Sequence, residues 1–376
     1  MKPSLRGLRF PFGETRGRRF PEPPHPYRNE FQRDRDRIVH ARAFRRLEDK
    51  TQVFSAGISD HFRNRLTHTI EVSQISRTVA SALDLDEDLT EALALAHDIG
   101  HPPFAHAGEQ ELNRQMERFG EHFDHNLHAL RIVESFEQRY ARFPGLNLTF
   151  EVREGIVKHS HDIEPGESPE LDEYLPGLRP PLEAQIIDLA DEIAYNTADL
   201  DDGFSAGLLT MESAADAVPL FAENLRTVSA RFPGVSGKLQ FQEALRLLID
   251  QFASGLIVGT YTAAREAGVR DVAEIRAYPV RLVRLTDDTA AASADLKVFL
   301  RREVYSSEGV TEEREHSTAR LAALFEYFLE HPDGLPSPYR EQADAGPAHR
   351  VVCDYIAGMT DGFLERSYRR ICEGLA

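Results

Sequence analysis

Helical periodicity is the feature that most constrains how this chain folds. Apolar residues recur every three or four positions along most of its 376 residues, a spacing that places them on one face of an α-helix. In the segment 182–200, Leu182, Ile186, Leu189 and Ile193 follow this spacing. Strands do not alternate with helices, and no internal repeat is present. We therefore predict an all-α fold with at most minor strands.

The same signals give approximate helix bounds. An apolar run that begins at Leu89 is stopped by Gly100 and then by Pro102 and Pro103, which is a strong signal for a helix end. Residues 280–285 mix apolar residues with Arg and suggest a short hairpin edge. The other predicted helices cover residues 31–47, 66–79, 107–118, 124–137, 182–200, 212–229, 237–266, 289–304, 317–330 and 348–368.

Charge is distributed unevenly along the chain. The net charge of −18 argues against a general nucleic-acid binder, which needs an excess of Lys and Arg. Residues 1–50 nevertheless carry 14 Lys and Arg against 7 Asp and Glu, so the remaining residues hold a net charge of −25. The basic segment 1–50 suits a polyphosphate ligand, a nucleic acid or a neighbouring subunit.

Two cysteines, Cys353 and Cys372, exclude a disulfide framework and a thiolate zinc cluster, and fit a reducing compartment. No apolar stretch approaches the length needed to cross a bilayer, and the N-terminus lacks the apolar core of a signal peptide. We therefore expect a cytoplasmic protein with no membrane partner.

Histidines cluster in the region best suited to chemistry. His97 and Asp98 directly follow the apolar helix, at the point where the backbone turns away. Six of the chain's 15 histidines lie within 32 residues beside Asp98, a concentration that a purely structural role does not explain. They are His97, His101, His106, His122, His125 and His128.

One imidazole and one carboxylate are too few to hold a metal ion, but two further donors lie on other predicted helices. His68 lies 29 residues before His97, and Asp191 lies 93 residues after Asp98. Two nitrogen and two oxygen donors suit Mn²⁺, Fe²⁺, Co²⁺, Ni²⁺ or Mg²⁺ and leave positions for water and substrate. For any one of these residues taken alone, a surface or helix-capping role is the alternative.

The segment HDIGHPPFAHAGE at 97–109 resembles the signature of the HD-domain deoxynucleoside triphosphate triphosphohydrolases, the dGTPase-like family. The resemblance implies a helical HD-domain fold and hydrolysis at the α-phosphorus of a dNTP, which releases a deoxynucleoside and inorganic triphosphate. Four other segments resemble the same family: RDRDRIVHARAFRRLEDKTQVF at 33–54, RNRLTHTIEVSQISR at 63–77, IIDLADEIAYNTADLDDG at 186–203 and LKVFLRREVY at 296–305.

The resemblance also implies a division of the chain and a set of partners. We expect an extended basic arm rich in Pro and Arg at 1–30, an HD-type catalytic core at 31–205 and a helical accessory region at 206–376 that completes the substrate pocket and makes oligomer contacts. Family members are commonly tetramers or hexamers and some are activated by nucleotides, so a homo-oligomer and a nucleotide activator are expected. Single-stranded DNA is an alternative partner for the arm.

The resemblance assigns the metal to His68, His97, Asp98 and Asp191. We expect Mg²⁺ or Mn²⁺ first, with Fe²⁺, Co²⁺, Ni²⁺ and Zn²⁺ left open, as is the number of ions. By the same matching, catalytic roles fall to four further residues: His106 as the acid or base, Glu109 as its orienting partner, and His101 and His125 at the phosphates. Helix-end hydrogen bonding is the alternative for each histidine.

Substrate binding is assigned in the same way. Asp191, Tyr195 and Asp199 are four apart and therefore share one helix face; the family match gives Tyr195 to the sugar and Asp199 to the 3′-hydroxyl. Gln52 matches a second residue at that hydroxyl. A half-buried core ring is the alternative for Tyr195. The negative charge of a triphosphate needs cationic side chains to compensate it. The residues matched to the triphosphate and to the same pocket are Arg65, Lys297, Arg301, Arg302 and Tyr305. For Arg301 and Arg302, a position on a solvated helix face is an equally good interpretation.

Two rival functions stay open at this level. Another HD enzyme, such as a phosphodiesterase of cyclic or dinucleotide substrates, would use the same metal chemistry. A scaffold without catalysis would bind nucleotide or single-stranded DNA through the basic arm. Product analysis separates the first rival from a triphosphohydrolase, and the presence of all four predicted metal ligands argues against the second.

Overall fold

The structure is a computed structural model in which residues 3–52 and 63–374 are described. Within these ranges β structure is limited to isolated bridges, so the predicted all-α fold is confirmed. None of the helices in the same ranges has the length and apolar character that a membrane span requires. The α-helices are α1 (Glu30–His40), α2 (Arg42–Arg46), α3 (Arg65–Leu83), α4 (Glu87–Ala96), α5 (Ala105–Glu117), α6 (His125–Arg131), α7 (Phe150–Val157), α8 (Leu182–Ser205), α9 (Met211–Ala217), α10 (Pro219–Arg231), α11 (Gly237–Ala267), α12 (Val272–Ala277), α13 (Asp287–Leu300), α14 (Glu308–Glu330), α15 (Ser337–Ala345), α16 (Ala348–Ala357) and α17 (Asp361–Cys372).

Two of the predicted helices are divided. The prediction for 212–229 corresponds to α9 and α10, which meet at Val218 and Pro219. Pro219 is the first residue of α10, a position where the missing N–H costs no helical hydrogen bond. The prediction for 348–368 corresponds to α16 and α17, and Gly358 follows the end of α16. α6 and α13 continue into π-helical turns at Ile132–Phe136 and Arg301–Tyr305.

The hairpin edge suggested for residues 280–285 is not formed. A side chain of α8 takes the place of a partner strand, because Oε1 of Gln185 accepts the backbone N–H groups of Leu282 at 2.8 Å and Val283 at 3.3 Å. These buried donors are therefore satisfied without a sheet.

Contacts between residues divide the chain into two compact units, each assembled from separate segments. The first unit comprises Met1–Gly17, His68–Ala94 and Phe150–Glu308, and the second comprises Arg18–Thr67, Leu95–Thr149 and Gly309–Ala376. Neither unit is continuous in sequence. The expected division at residues 30 and 205 stays a prediction.

The core of the first unit lies around α8, which packs against α11 and α13. Phe204 at the end of α8 stacks on Phe241 of α11 with ring centroids 3.8 Å apart. At Gly259 of α11 a Cβ atom would overlap the backbone of Arg284 and Leu285. The absence of a side chain there lets the segment before α13 lie directly on α11.

The core of the second unit joins helices from the middle and the end of the chain, and α5 packs against α16. Its members are all apolar and fully or almost fully buried. They include Leu112, Met116, Phe123, Leu321, Leu324, Phe325, Phe328, Val352, Ile356 and Leu364. Because α5 belongs to this core, the packing fixes the position of the helix that carries His106 and Glu109.

Much of the basic arm is neutralised by ion pairs. Arg9 lies 2.6 Å from Asp86 within the first unit. Arg18 lies 2.7 Å from Glu30 and 2.5 Å from Asp34 within the second unit. The arm therefore presents less positive charge to a polyanion than its composition indicates.

Candidate active site

The turn after α4 carries the His-Asp pair, and His97, Asp98 and His101 are all buried. Gly100 lies against the first turn of α6, where a Cβ atom would overlap the carbonyl oxygen of His125 and the backbone of Ala129. This close approach brings the imidazole rings of His101 and His125 to a centroid separation of 3.9 Å. The glycine of the motif thus sets the distance between two of the predicted catalytic residues.

Asp98 lies among cationic and imidazole groups of the second unit. Nη1 of Arg65 donates to Oδ2 of Asp98 at 2.7 Å, and Nδ1 of His101 lies 2.9 Å from Oδ1. Nε2 of His97 lies 3.6 Å from the same oxygen. Burial alone would raise the pKa of Asp98, but the Arg65 guanidinium and the two imidazoles hold it well below its usual range. Asp98 is therefore an ionised carboxylate.

The imidazole of His101 is kept neutral by the same surroundings. Burial and the nearby Arg65 guanidinium lower the pKa of this imidazole well below its ordinary value, and the Asp98 carboxylate offsets only part of that effect. His101 is therefore a neutral imidazole beside an ionised carboxylate, and a neutral imidazole nitrogen can bind a metal ion.

Glu109 on α5 joins two further histidines. Its Oε1 accepts the backbone N–H of His125 at 3.1 Å and lies 2.6 Å from Nδ1 of the same residue. Its Oε2 lies 3.5 Å from Nδ1 of His106, whose side chain is 64 % exposed. Burial would raise the pKa of Glu109, but hydrogen bonds from both histidines lower it below its usual range. Glu109 is therefore ionised and is held more closely by His125 than by His106.

The loop between His101 and α5 has an unusual backbone. Phe104 and Ala105 have φ angles of 63° and 54°, in the left-handed region that non-glycine residues rarely adopt, at a cost of roughly 1–2 kcal/mol per residue. At Gly108 a Cβ atom would overlap the carbonyl oxygen of Pro103. The chain thus folds tightly onto α5, and His106 lies in the first turn of that helix.

The first unit contributes a second pair. Nε2 of His68, which is buried on α3, lies 2.8 Å from Oδ1 of Asp191 on α8. His159, which the sequence analysis did not single out, lies with Nε2 3.6 Å from Asp191 and Nδ1 2.8 Å from Asp188. Burial disfavours the charged imidazole, but the two carboxylates raise the pKa of His159 to about 10.

A third group lies farther along α8. The rings of Tyr195 and Tyr305 stack with centroids 6.0 Å apart, and the Tyr305 hydroxyl donates to Asp199. Burial and the Asp199 carboxylate raise the pKa of Tyr305, so its hydroxyl keeps its proton. Lys297 on α13 lies 2.6 Å from Glu192. The π turn after α13 positions Tyr305, because it inserts an extra residue into the helical repeat.

Several groups of His, Asp and Glu have ligand atoms close enough together to hold a metal ion. Within the second unit, His101, His106 and Glu109 form one such group, and Glu109, Asp124 and His125 form another. The donor types, imidazole nitrogen with carboxylate oxygen, suit divalent ions such as Mn²⁺ and Fe²⁺.

Comparison with known proteins decides the family. Residues 65–196 match the HD domain, and residues 283–370 match the phosphohydrolase-associated domain. The chain is 47 % identical over 95 % of its length to a deoxyguanosinetriphosphate triphosphohydrolase-like protein of Azoarcus sp. (strain BH72), covering 93 % of that protein. Proteins of the same name from Ralstonia nicotianae and Geobacter metallireducens are 45 % and 42 % identical over 95 % and 98 % of the chain, covering 92 % and 95 % of their own lengths.

The chain belongs to the deoxyguanosinetriphosphate triphosphohydrolase-like family. The resemblance stated from the motifs is thereby confirmed. The predicted site residues of this family member fall into both units. In the first unit lie His68, Asp191, Tyr195, Asp199, Lys297 and Tyr305; in the second lie Gln52, Arg65, His97, Asp98, His101, His106, Glu109 and His125.

Within each unit the structure brings most of these side chains together, as described above. The ammonium of Lys297 pairs with Glu192, which is not among the predicted site residues. Gln52 is buried and is the last residue before the undescribed range 53–62. His159 was missed because the KHSHD run at 158–162, although it contains the pair His161-Asp162, matches none of the quoted motifs.

Proposed function

We propose that this protein is a metal-dependent hydrolase that converts a deoxynucleoside triphosphate and water to a deoxynucleoside and inorganic triphosphate. The observation that carries the proposal is the arrangement around Asp98 and Glu109, where two ionised carboxylates hold buried or half-buried imidazoles beside Arg65. The names of the relatives, deoxyguanosinetriphosphate triphosphohydrolase-like, support the same substrate class.

We propose that His68, His97, Asp98 and Asp191 hold the metal ion. The chemistry of the set fits, since two imidazole nitrogens and two carboxylate oxygens form a donor set of net charge −2 for a divalent ion. Arg65 and His68 lie one turn apart on α3, and they contact Asp98 and Asp191 respectively. All four residues lie within the match to the HD domain, which supports the assignment.

The bound ion would polarise the α-phosphate and lower the pKa of the attacking water. The residues of the chain then have three tasks. Arg65 compensates phosphate charge, as a guanidinium can do while it donates to Asp98. Glu109 accepts a hydrogen bond from Nδ1–H of His125, which fixes the tautomer of that ring and leaves its Nε2 directed away from Glu109. His106, exposed at the start of α5, is the proposed donor of the proton that the departing 5′-oxygen requires.

The sugar is assigned to the group on α8. We propose that Tyr195 lies against the deoxyribose at the position of a 2′-hydroxyl and that Asp199 and Gln52 bind the 3′-hydroxyl. The Tyr305 hydroxyl donates to Asp199 and holds that carboxylate in one orientation. Lys297 would reach the triphosphate only after leaving Glu192.

Finer properties are part of the same proposal. We expect Mg²⁺ or Mn²⁺ as the ion, a tetramer or hexamer as the assembly, activation by a nucleotide at a separate site and a cytoplasmic location. Single-stranded DNA is the weaker candidate partner, because the arginines of the arm described above are paired.

The test is a panel of the four dNTPs and GTP with Mg²⁺ or Mn²⁺, supplied alone and in mixtures, with products separated by chromatography. Intact triphosphate with a deoxynucleoside is the expected result, and hydrolysis only in mixtures would reveal an activator. Release of a nucleoside monophosphate from cyclic or dinucleotide substrates, with no triphosphate from any dNTP, would replace the proposal by the phosphodiesterase alternative.

A further inference from the structure

The turn between α16 and α17, with the residues that flank it, makes three hydrogen bonds to segments that are far away in sequence, all within the second unit. Asp361, the first residue of α17, uses both carboxylate oxygens to accept backbone N–H groups. Oδ2 accepts from Thr51 at 2.7 Å, and Oδ1 accepts from Phe104 at 3.1 Å. One side chain thus joins the segment that leads to Gln52 with the loop that leads to His106.

Lys50 completes the connection from the other side. Its side chain is buried, and its ammonium donates to the carbonyl oxygens of His101 and, at 3.2 Å, Ala357. The carbonyl oxygen of Lys50 accepts the backbone N–H of Arg65 at 3.1 Å. Complete burial lowers the pKa of Lys50 to about 7, with nearby Arg46 acting in the same direction. An amine buried in this way is tolerated only where its hydrogen-bond acceptors are fixed.

The loop held in this way has a backbone conformation that its surroundings must maintain. Phe104 and Ala105 are left-handed without being glycine, and such conformations persist only where the surroundings determine them. Phe104 is the N-cap of α5 but provides no side-chain cap. The Asp361 carboxylate accepts the N–H of this N-cap residue and places a negative charge at the positive end of the helix dipole.

We infer that Asp361 and Lys50 are positioning residues that hold the loop 101–105, and with it His101 and His106, in the geometry needed for hydrolysis. The inference rests on the proposed function for its catalytic consequence. Neither side chain needs to touch substrate, because both act through backbone atoms of the loop. Asp361 lies within the match to the phosphohydrolase-associated domain, so that domain supplies a support for the HD motif.

The first measurement does not depend on activity. Hydrogen exchange followed by mass spectrometry compares the wild-type protein with Asp361→Ala and Asp361→Asn, the latter retaining one acceptor oxygen. Peptides that cover 99–106 should exchange about tenfold faster in Asp361→Ala, by loss of the bond to Phe104, with a smaller increase in Asp361→Asn. Peptides of α8 should be unchanged. Equal exchange of the 99–106 peptides in all three proteins would overturn the inference.

The second measurement asks what the loop does for catalysis. With the dNTP that the wild type hydrolyses best, Asp361→Ala should lower kcat by about 10- to 100-fold with KM changed by less than about threefold, since small displacements of catalytic groups have effects of this size. Mn²⁺ affinity, measured by electron paramagnetic resonance, should stay within about twofold of wild type, because the ligands remain. Lys50→Met should act in the same direction, and the double variant should lose less than the product of the two effects.

The matched control is Glu365→Gln, one turn further along α17, where the carboxylate binds Arg320 at 2.7 Å in a partly exposed pair. It should leave kcat, KM and loop exchange unchanged. A lower melting temperature for Asp361→Ala with wild-type kcat at a permissive temperature would reduce Asp361 to a structural role and overturn the inference. Absence of dNTP hydrolysis by the wild type would instead refute the proposed function, while the exchange result would still decide whether the loop is held.

Discussion

The imidazole of His125 and the carboxylate of Glu109 form the closest contact among the predicted catalytic residues, with Nδ1 and Oε1 2.6 Å apart. His106, which the family match pairs with Glu109, lies 3.5 Å from the other carboxylate oxygen. Glu109 therefore orients two histidines rather than one, and its charge matters for both.

Replacement of that carboxylate tests its role. Glu109→Gln should lower kcat for dNTP hydrolysis by about 100-fold, because an amide neither stabilises a protonated imidazole nor fixes its tautomer as a carboxylate does. KM should change little. The control is Glu111→Gln on the same helix, where the carboxylate pairs with exposed Arg114. A Glu109→Gln enzyme with wild-type kcat would remove Glu109 from the mechanism.

Removal of the central carboxylate tests the metal site. Asp98→Asn should bind Mn²⁺ at least about tenfold more weakly and hydrolyse no dNTP at a measurable rate, since an amide is a poorer ligand for a hard cation. Because Arg65 then lacks its buried partner, stability should fall as well, by about 3 kcal/mol. Metal content by elemental analysis and denaturation in urea measure the two effects, with exposed Glu117→Gln as control. Full metal content in Asp98→Asn would contradict the assignment.

Sugar selection depends on Tyr195. Tyr195→Ala should reduce the preference for dGTP over GTP by about tenfold, because the space for a 2′-hydroxyl becomes available. Tyr305→Phe keeps the stacked ring and loses only the hydroxyl bond to Asp199, so it should raise KM without changing the preference. The ratio of kcat/KM for the two nucleotides is the measurement. An unchanged ratio in Tyr195→Ala would place the sugar elsewhere.

A buried carboxyl group in the first unit predicts a pH effect on stability. Glu183 accepts the N–H groups of Phe10 at 2.8 Å and Asp86 at 3.1 Å, and burial raises its pKa to about 7. The folded state therefore holds a proton that the unfolded state releases near pH 4.5, so the stability from this group is complete below about pH 4.5 and is lost as pH rises through about 7. The loss is about 3 kcal/mol.

Glu183→Gln should remove this dependence, since the amide accepts the same two hydrogen bonds without titrating. Urea unfolding at pH 5 and pH 8 should show a smaller decrease in the free energy of unfolding for the variant than for the wild type. Exposed Glu212→Gln serves as the control and should follow the wild type. Parallel curves for Glu183→Gln and wild type would show that Glu183 is ionised in the folded protein.

The sequence was informative where chemistry follows from local pattern. Apolar spacing predicted α8 and α11 nearly to their observed bounds, and the stop signals at Gly100 and Pro102 marked the turn that bears His97 and Asp98. The division at Pro219 was also available from local rules, because proline is favoured at the first position of a helix.

Other features depend on contacts that no local pattern encodes. Thr51 and Asp361 are 310 positions apart, and nothing near either residue indicates the bond between them. His159 became relevant only when α7 and α8 placed it beside Asp188 and Asp191. Residues 280–285 form no hairpin because two of their backbone N–H groups bond to the side chain of Gln185. Apolar periodicity gives no indication of such a contact, since Gln185 is polar.

Gly100 has a consequence for how the family can vary. A single methyl group at this position would collide with the backbone of α6 rather than with a movable side chain, so the helix would have to retreat as a rigid body. His125 would retreat with it, away from His101, and the gap between the two rings would widen. Mutational tolerance at position 100 should therefore be among the lowest in the chain, although the residue has no functional group of its own.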